Sequence, residues 1–270
     1  MNNKNNNICN INKKYAIIFD MDHTILDNNS CYFLFNLLKE QTVKNIFQTR
    51  KSKDLNWIEM MQLIFNNLYD NNIDISTIKN KIKDIPTTKG MLELFEFIHS
   101  IKINNLQDNI IDVYILSGSI DLFIECVLNK ISILKTIINK HYSYTCKQVN
   151  GKLILDKCDG NICSICNQYF CKNKVVKDRI IKENNNIINN NMSSYYSKVY
   201  FVGDGDNDYC ACLALNNVNS STAFIREGFY LDKMLYEKEN CNELRNKLCC
   251  NIVKWRDGYD IINSIKNDIN

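Results

Sequence analysis

Two carboxylates follow directly on a buried apolar run, where Tyr15-Ala16-Ile17-Ile18-Phe19 leads into Asp20-Met21-Asp22-His23-Thr24. A second acidic cluster closes another such run: Val199-Tyr200-Phe201-Val202 leads into Gly203-Asp204-Gly205-Asp206-Asn207-Asp208. Parallel strands inside an α/β sheet read as continuous apolar stretches, and ligands bind beyond their carboxyl ends. Two acidic strand ends in one chain therefore predict a shared Mg²⁺ site. Capping of the following helices explains one aspartate at a time, but not two strand-end clusters together.

The spacing Asp-x-Asp-x-Thr suits phosphoryl transfer. Asp20 can attack phosphorus to form an aspartyl-phosphate, while Asp22 protonates the leaving oxygen and later deprotonates the attacking water. A carboxylate beside an anionic phosphate is repelled, so the design needs cations. Mg²⁺ would be held by Asp20, the backbone carbonyl of Asp22 and Asp204, with Asp208 ligating directly or orienting a bound water. A lysine would supply the remaining positive charge. Ser117, the backbone N–H of Gly118 and Thr24 are placed to bond phosphoryl oxygens. Asn207 is expected to hydrogen-bond the loop that positions the other groups, and Asp206 to be solvated.

The elements that must carry these residues alternate. Residues 31–85 show helical apolar spacing, including Phe33, Leu37, Trp57, Met60, Met61, Ile64 and Leu68, and read as a helical insertion. Trp57 with Met60 and Met61 is expected to pack inside it. Pro86 to Gly90 punctuates the chain. A helix from Met91, a strand over Ile110–Leu116 closed by Ser117-Gly118-Ser119, and a helix over Ile120–Leu134 follow. Asn150-Gly151 predicts a β-hairpin within Tyr142–Leu155. A helix starting near Cys171 or Lys172, the strand Val199–Val202, a helix through Ala211 and Leu215, and a fourth strand at Ser221–Ile225 complete the pattern. Strands alternating with helices predict an α/β, Rossmann-like, doubly wound parallel sheet. The expected organisation is a tail over 1–12, a core domain built from 13–30 and 86–270, and a helical cap over 31–85.

The chain has 270 residues and a net charge of +3, with basic residues scattered, which gives no reason to expect nucleic acid as a partner. No apolar stretch is long enough for a membrane span, and Met1–Asn12 lacks the apolar region of a signal peptide, so a cytoplasmic enzyme, monomeric or homodimeric, is expected. The Asn-rich tracts Asn2–Asn7 and Asn184–Asn191 read as solvated. Thirteen cysteines without a secretory signal predict free thiols rather than a disulfide framework. Cys163-x-x-Cys166, flanked by Cys158 and Cys171, offers the ligands of a Cys₄ zinc site. Only one pair has knuckle spacing, however, so packed free thiols compete with zinc.

Taken as an ordered set, Phe19-Asp20-Met21-Asp22-His23-Thr24, Ser117, a following lysine and Gly203-Asp204-Gly205-Asp206-Asn207-Asp208 resemble the four motifs of the haloacid dehalogenase-like phosphatases. More narrowly, the chain is similar to the phosphoethanolamine/phosphocholine phosphatase family and its pyridoxal-phosphate phosphatase sister group. That likeness rests on Asp27-Asn28-Asn29-Ser30, Cys163-Ser164-Ile165-Cys166 with Cys171-Lys172, and Ala223-Phe224-Ile225-Arg226-Glu227-Gly228-Phe229. The resemblance implies a Mg²⁺-dependent phosphatase of a small phosphomonoester with a helical cap between the first two motifs. It assigns the phosphate-neutralising lysine to Lys172, with Lys174 and Lys177 as alternatives. His23 stands where the family has a small or acidic residue, and either contacts substrate or packs against the cap.

Members acting on choline-like phosphates place acidic residues just after the positions of Ser30 and Ser117. Here Cys31-Tyr32 and Gly118-Ser119 stand instead, so a quaternary ammonium would have to rely on aromatic faces such as Tyr32. Pyridoxal phosphate, a sugar phosphate and phosphoserine stay open. The same motifs would serve a phosphotransferase or phosphomutase, which differs only in the acceptor of the phosphoryl group. A non-enzymatic zinc module built on Cys158–Cys171 is the reading from another class.

Overall fold

The computed structural model describes residues 14–104, 110–156, 161–182 and 195–269. The expected tail, both Asn-rich tracts and Cys158 lie outside the described residues. Six parallel strands form the main sheet in the order β3-β2-β1-β6-β7-β8. They are β1 (Lys14–Phe19), β2 (Ile110–Ile120), β3 (Ile138–Tyr144), β6 (Lys198–Gly203), β7 (Ser221–Arg226) and β8 (Asn251–Trp255). A separate antiparallel hairpin pairs β4 (Cys146–Val149) with β5 (Lys152–Leu155).

Side chains of the central strands alternate between two cores. Tyr15, Ile17 and Phe19 join Tyr200, Val202 and Phe224 on one face, while Ala16 and Ile18 join Val199, Phe201, Ala223 and Ile225 on the other. Helices cover both faces, which is why β1 and β6 are apolar throughout rather than alternating. Strand order reverses at β1, whose neighbours are β2 on one side and β6 on the other. Carboxyl ends there diverge into a crevice.

Four of the six strands follow the sequence expectation. The two that were missed, β3 and β8, are the sheet edges, with only Tyr144 and Trp255 buried in each. Such edges carry no continuous apolar signature. The hairpin is also shorter than expected: Tyr142–Tyr144 belongs to β3, and the hairpin begins at Cys146. Asn150 and Gly151 at its tip both have positive φ, 49° and 79°, the conformation of a type I′ turn. Strand β2 runs on through Ser117, Gly118 and Ser119 instead of ending before them.

Between β1 and β2 the chain leaves the sheet for the helices Ser30–Phe33, Glu40–Lys53, Trp57–Asp70 and Ile75–Lys83. Its exit and return are pinned side by side. Asp27 N–H donates to Pro86 O at 2.8 Å, and Thr88 N–H to Ile25 O at 3.0 Å. The helix Trp57–Asp70 opens on a reciprocal cap between Asn56 and Glu59, worth about 1 kcal/mol. It docks on the hairpin through Gln62, whose amide donates to Leu153 O and accepts from Leu155 N–H. It also meets the main body where Phe65 packs edge-on against Phe123. Among the described residues no helix is long and apolar enough to cross a membrane.

Candidate active site

Asp20 is the first residue past β1, and its N–H still bonds Val202 O of β6 at 2.9 Å. That bond ties the two acidic strand ends together at the strand-order reversal. Oxygens of Asp20, Asp204 and Asp208 lie within 4.8 Å of one another, and all three residues are buried. Lys172, fully buried, places its Nζ 2.6 Å from Asp20 Oδ1 and 2.5 Å from Asp208 Oδ1. Lys174 and Lys177 are exposed, so of the three lysines proposed from sequence only Lys172 reaches the cluster.

Asp208 is an organiser. Its Oδ2 accepts the N–H groups of Asp204 and Gly205, each at 2.8 Å, while Oδ1 takes Lys172. Gly203 makes this approach feasible, since a Cβ there would stand 2.4 Å from Asp208 Oδ2. Asp22, half-buried, is gripped by a single residue: Ser30 N–H donates to its Oδ1 and Ser30 Oγ–H to its Oδ2, both at 2.9 Å. Ser30 Oγ lies 3.0 Å from Ser119 Oγ, which links the first helical turn after β1 to the end of β2.

Burial sets the electrostatics. It pushes Asp20 up to about 7, against the pull of Lys172, and Asp204 up to about 9, aided by the charges of Asp208 and Asp20. Burial likewise lifts Asp22 to about 6, with the Ser30 hydrogen bonds opposing. For Lys172 burial disfavours the charge, yet Asp20 and Asp208 more than offset it and hold the ammonium above its ordinary range. Four carboxylates thus crowd around one ammonium among the described residues, and the Asp204 carboxylate receives the Thr24 hydroxyl at 3.4 Å. This excess of hard oxygen donors over positive charge fits a divalent cation such as Mg²⁺.

The loop carrying these groups is braced from a distance. His23 adopts the left-handed conformation with φ 53°, and Arg226 Nη1 donates to its carbonyl at 2.6 Å. Arg226 Nη2 pairs with Asp27 at 2.6 Å, and its guanidinium stacks on Phe229, 4.2 Å from the ring centroid. His23 itself packs on Phe229 with ring centroids 5.5 Å apart, where burial and the nearby Arg226 lower its pKa.

A cavity of about 500 Å³ opens over the acidic cluster. Asp20, Asp22, His23, Ser117, Gly118, Asp204 and Asn207 line it, and so do Tyr32, Arg50 and Trp57 of the helical insertion. The Ser117 hydroxyl accepts from Ser119 N–H at 3.1 Å. Asn207 abuts Gly118, where a Cβ would come within 3.0 Å of its amide nitrogen. Asp206 is exposed, as expected. Thr24 departs from expectation: it is fully buried, and its hydroxyl is directed to Asp204 rather than into the cavity. Trp57 is more than packing inside the insertion, because its Nε1–H donates to Gly118 O at 3.1 Å across to β2.

Sequence reasoning missed the roles of Ser30 and Arg226, which entered only as parts of family-like segments. It missed Arg50 altogether. Arg226 reaches His23 and Asp27 from the far end of the chain, and Arg50 meets the cavity only once the chain is folded, so no local pattern reports either.

A family model described as Putative Phosphatase matches residues 15–269. The chain belongs to this phosphatase family. It is 27% identical over 256 residues to the pyridoxal phosphate phosphatase PHOSPHO2 of Rattus norvegicus, covering 94% of this chain and 98% of that protein. With the phosphoethanolamine/phosphocholine phosphatase of Gallus gallus it shares 24% over 252 residues, 92% of this chain and 86% of the relative. Among solved structures, a phospho-aspartyl intermediate analogue of phosphoserine phosphatase superposes with a TM-score of 0.53 at 19% identity, covering 93% of this chain and 99% of that one. The sheet and its flanking helices are thus a haloacid dehalogenase-like, Rossmann-like core. The protein is a phosphomonoester hydrolase of that superfamily, which displaces the non-enzymatic reading of the cysteine cluster.

Proposed function

We propose that this phosphatase hydrolyses a small, planar aromatic phosphomonoester of the pyridoxal phosphate type, with Mg²⁺ and through an aspartyl-phosphate at Asp20. One observation carries the reaction: the Asp20 carboxylate is held at Oδ1 by Lys172 and faces the same cavity as Asp22, which Ser30 fixes through both oxygens. Asp20 attacks phosphorus while Asp22 delivers its proton to the departing oxygen. Asp22 then takes a proton from the water that cleaves the acyl phosphate, returning Asp20 to its starting state. A carboxyl lifted to about 6 is suited to both duties near neutral pH.

Asp20, Asp204 and the Asp22 carbonyl would hold Mg²⁺, which supplies countercharge for the phosphoryl group. Ser117 and the N–H of Gly118 bond phosphoryl oxygens, with Lys172 as the fixed cation. Residues 31–85 act as a cap that closes the cavity from solvent.

The cavity supports the substrate class. Tyr32, Trp57, Tyr144, Phe170 and Tyr230 give it aromatic walls, and Arg50 is the cation contributed by the insertion. The carboxylates lining it are those of the acidic cluster and the exposed Asp206. Flat rings stack on such walls, while an ammonium head group meets Arg50 without a dedicated carboxylate. The PHOSPHO2 relatives carry pyridoxal phosphate in their names, which agrees. The test is a panel of pyridoxal phosphate, phosphoethanolamine, phosphocholine and phosphoserine assayed with Mg²⁺. We expect kcat/KM to be highest for pyridoxal phosphate by about tenfold or more. A preference for phosphocholine would refute the substrate assignment. Phosphoryl transfer to added alcohols at the expense of water would instead mark a transferase.

Metal removal has a pH signature. Asp20 and Asp204 have folded-state values above the ordinary carboxylate value, so the unfolded chain loses these protons first. Their contribution to stability is complete below the ordinary value and disappears as the pH rises toward about 9. In chelator, Tm should therefore fall between about pH 6 and pH 9, and Mg²⁺ should restore more of it at the higher pH. A Mg²⁺-induced gain in Tm that is equal at both pH values would contradict the site.

Ser30→Ala probes the acid/base group. Removing one donor to the Asp22 carboxylate raises its pKa further, so the matching limb of the kcat profile should move to higher pH by about 0.5–1 unit. An unshifted limb would detach Asp22 from that role.

A further inference from the structure

Four sulfurs meet beside the acidic cluster. The Sγ atoms of Cys163, Cys166, Cys171 and Cys210 lie within 4.8 Å of one another, and those of Cys163 and Cys210 are 4.0 Å apart. A tetrahedral zinc with Zn–S bonds of about 2.3 Å requires sulfurs about 3.8 Å apart. A disulfide requires about 2.05 Å, and all four cysteines are free. The separations match a metal's coordination sphere rather than a covalent bond.

Local structure is arranged to present the thiols. Asn167 N–H donates to Cys163 O at 2.9 Å, Cys163 N–H donates to Gln168 O at 3.0 Å, and Asn167 is left-handed with φ 51°. This tight turn brings Cys163 and Cys166 to one side. Cys171 caps the helix Lys172–Val175. Apolar packing does not account for the turn, since Ile162 and Ile165 are 43% and 58% exposed. Loops with so little core are commonly held by a disulfide or a metal.

We propose that Cys163, Cys166, Cys171 and Cys210 bind one structural Zn²⁺, separate from the oxygen-lined site of the acidic cluster. The sequence had pointed to Cys158 as the fourth ligand. Cys158 lies outside the described residues, and among those described Cys210 completes the set, from the helix Asp208–Ala214. Soft thiolates select zinc, whereas the carboxylate site selects a hard cation. On binding, the thiol protons leave to solvent and four S–Zn bonds form.

The placement gives the metal a purpose. Cys171 immediately precedes Lys172, and Cys210 lies two residues beyond Asp208 on its helix. Asn173 Nδ2 adds a bond to Cys210 O at 3.0 Å. The zinc would staple together the two elements that meet in the Lys172–Asp208 ion pair. It would also anchor the loop whose Gln168 and Phe170 line the cavity.

Full-length protein, purified from zinc-supplemented medium and dialysed, should retain about one zinc per chain by elemental analysis. Cys210→Ser and Cys166→Ser should each lower that to below about a tenth, with a reduced Tm. Should either variant fail to fold, wild-type protein reloaded with Co²⁺ decides: intense thiolate-to-cobalt absorption is expected. The inference does not depend on the phosphatase mechanism, because Asp20→Asn should keep its zinc in full. Zinc-free wild type without the cobalt bands overturns the proposal, as do iron in place of zinc, a disulfide within the tetrad, or zinc unchanged in both serine variants.

Discussion

Asp20→Asn is expected to abolish turnover while the fold persists. The substitution keeps the shape of the side chain but removes the proposed nucleophile, and deleting a covalent catalyst should lower kcat by about 10⁴-fold or more. Folding should survive because Lys172 keeps Asp208 as its partner at 2.5 Å and because an amide is cheaper to bury than a carboxylate lifted to about 7. Circular dichroism and urea unfolding check the fold, and a phosphomonoester assay with Mg²⁺ checks the chemistry. Retained Mg²⁺-dependent hydrolysis by the folded variant would remove Asp20 from the mechanism. Labelled phosphate that becomes covalently attached to wild type but not to the variant would place the intermediate on this residue.

Lys172→Met should be the most destabilising single change in the site. The methionine fills similar volume but leaves Asp20 and Asp208 buried and facing each other without a cation. Breaking a buried pair from one side typically costs about 3–5 kcal/mol. Loss of the fixed charge beside the phosphoryl group should lower kcat by about 10²–10³ as well. Mg²⁺ would recover part of the stability, since it also offsets the carboxylates, but not the rate. A variant within about 1 kcal/mol of wild type in urea unfolding would show that the lysine does not anchor the cluster.

These two residues differ in how far the sequence disclosed them. Asp20 announces itself: a polar group at the end of an apolar strand is a local event, readable within ten residues. Lys172 was one of three lysines on a short stretch, ranked first only by the family resemblance, and its burial beside Asp20 and Asp208 sets it apart from the exposed Lys174 and Lys177. The central strands were legible because both their faces are covered, which forces an unbroken apolar run. The edge strands β3 and β8 were not, because among the described residues one side of each meets no neighbouring strand and polar residues are tolerated.

From sequence alone came the parallel α/β core, the helical insertion after β1 and the two strand-end carboxylate clusters. All of these are set by hydrophobic periodicity and by residue spacing within single elements. The tertiary structure alone decided that Ser30 grips Asp22, that Arg226 braces the His23 backbone, that Thr24 serves Asp204, and that Cys210 joins Cys163, Cys166 and Cys171. Apart from the Ser30–Asp22 pair, made within one loop, each of these is a contact formed when the parallel sheet brings distant segments together. Such contacts depend on three-dimensional distance, which neighbouring residues in the chain do not encode.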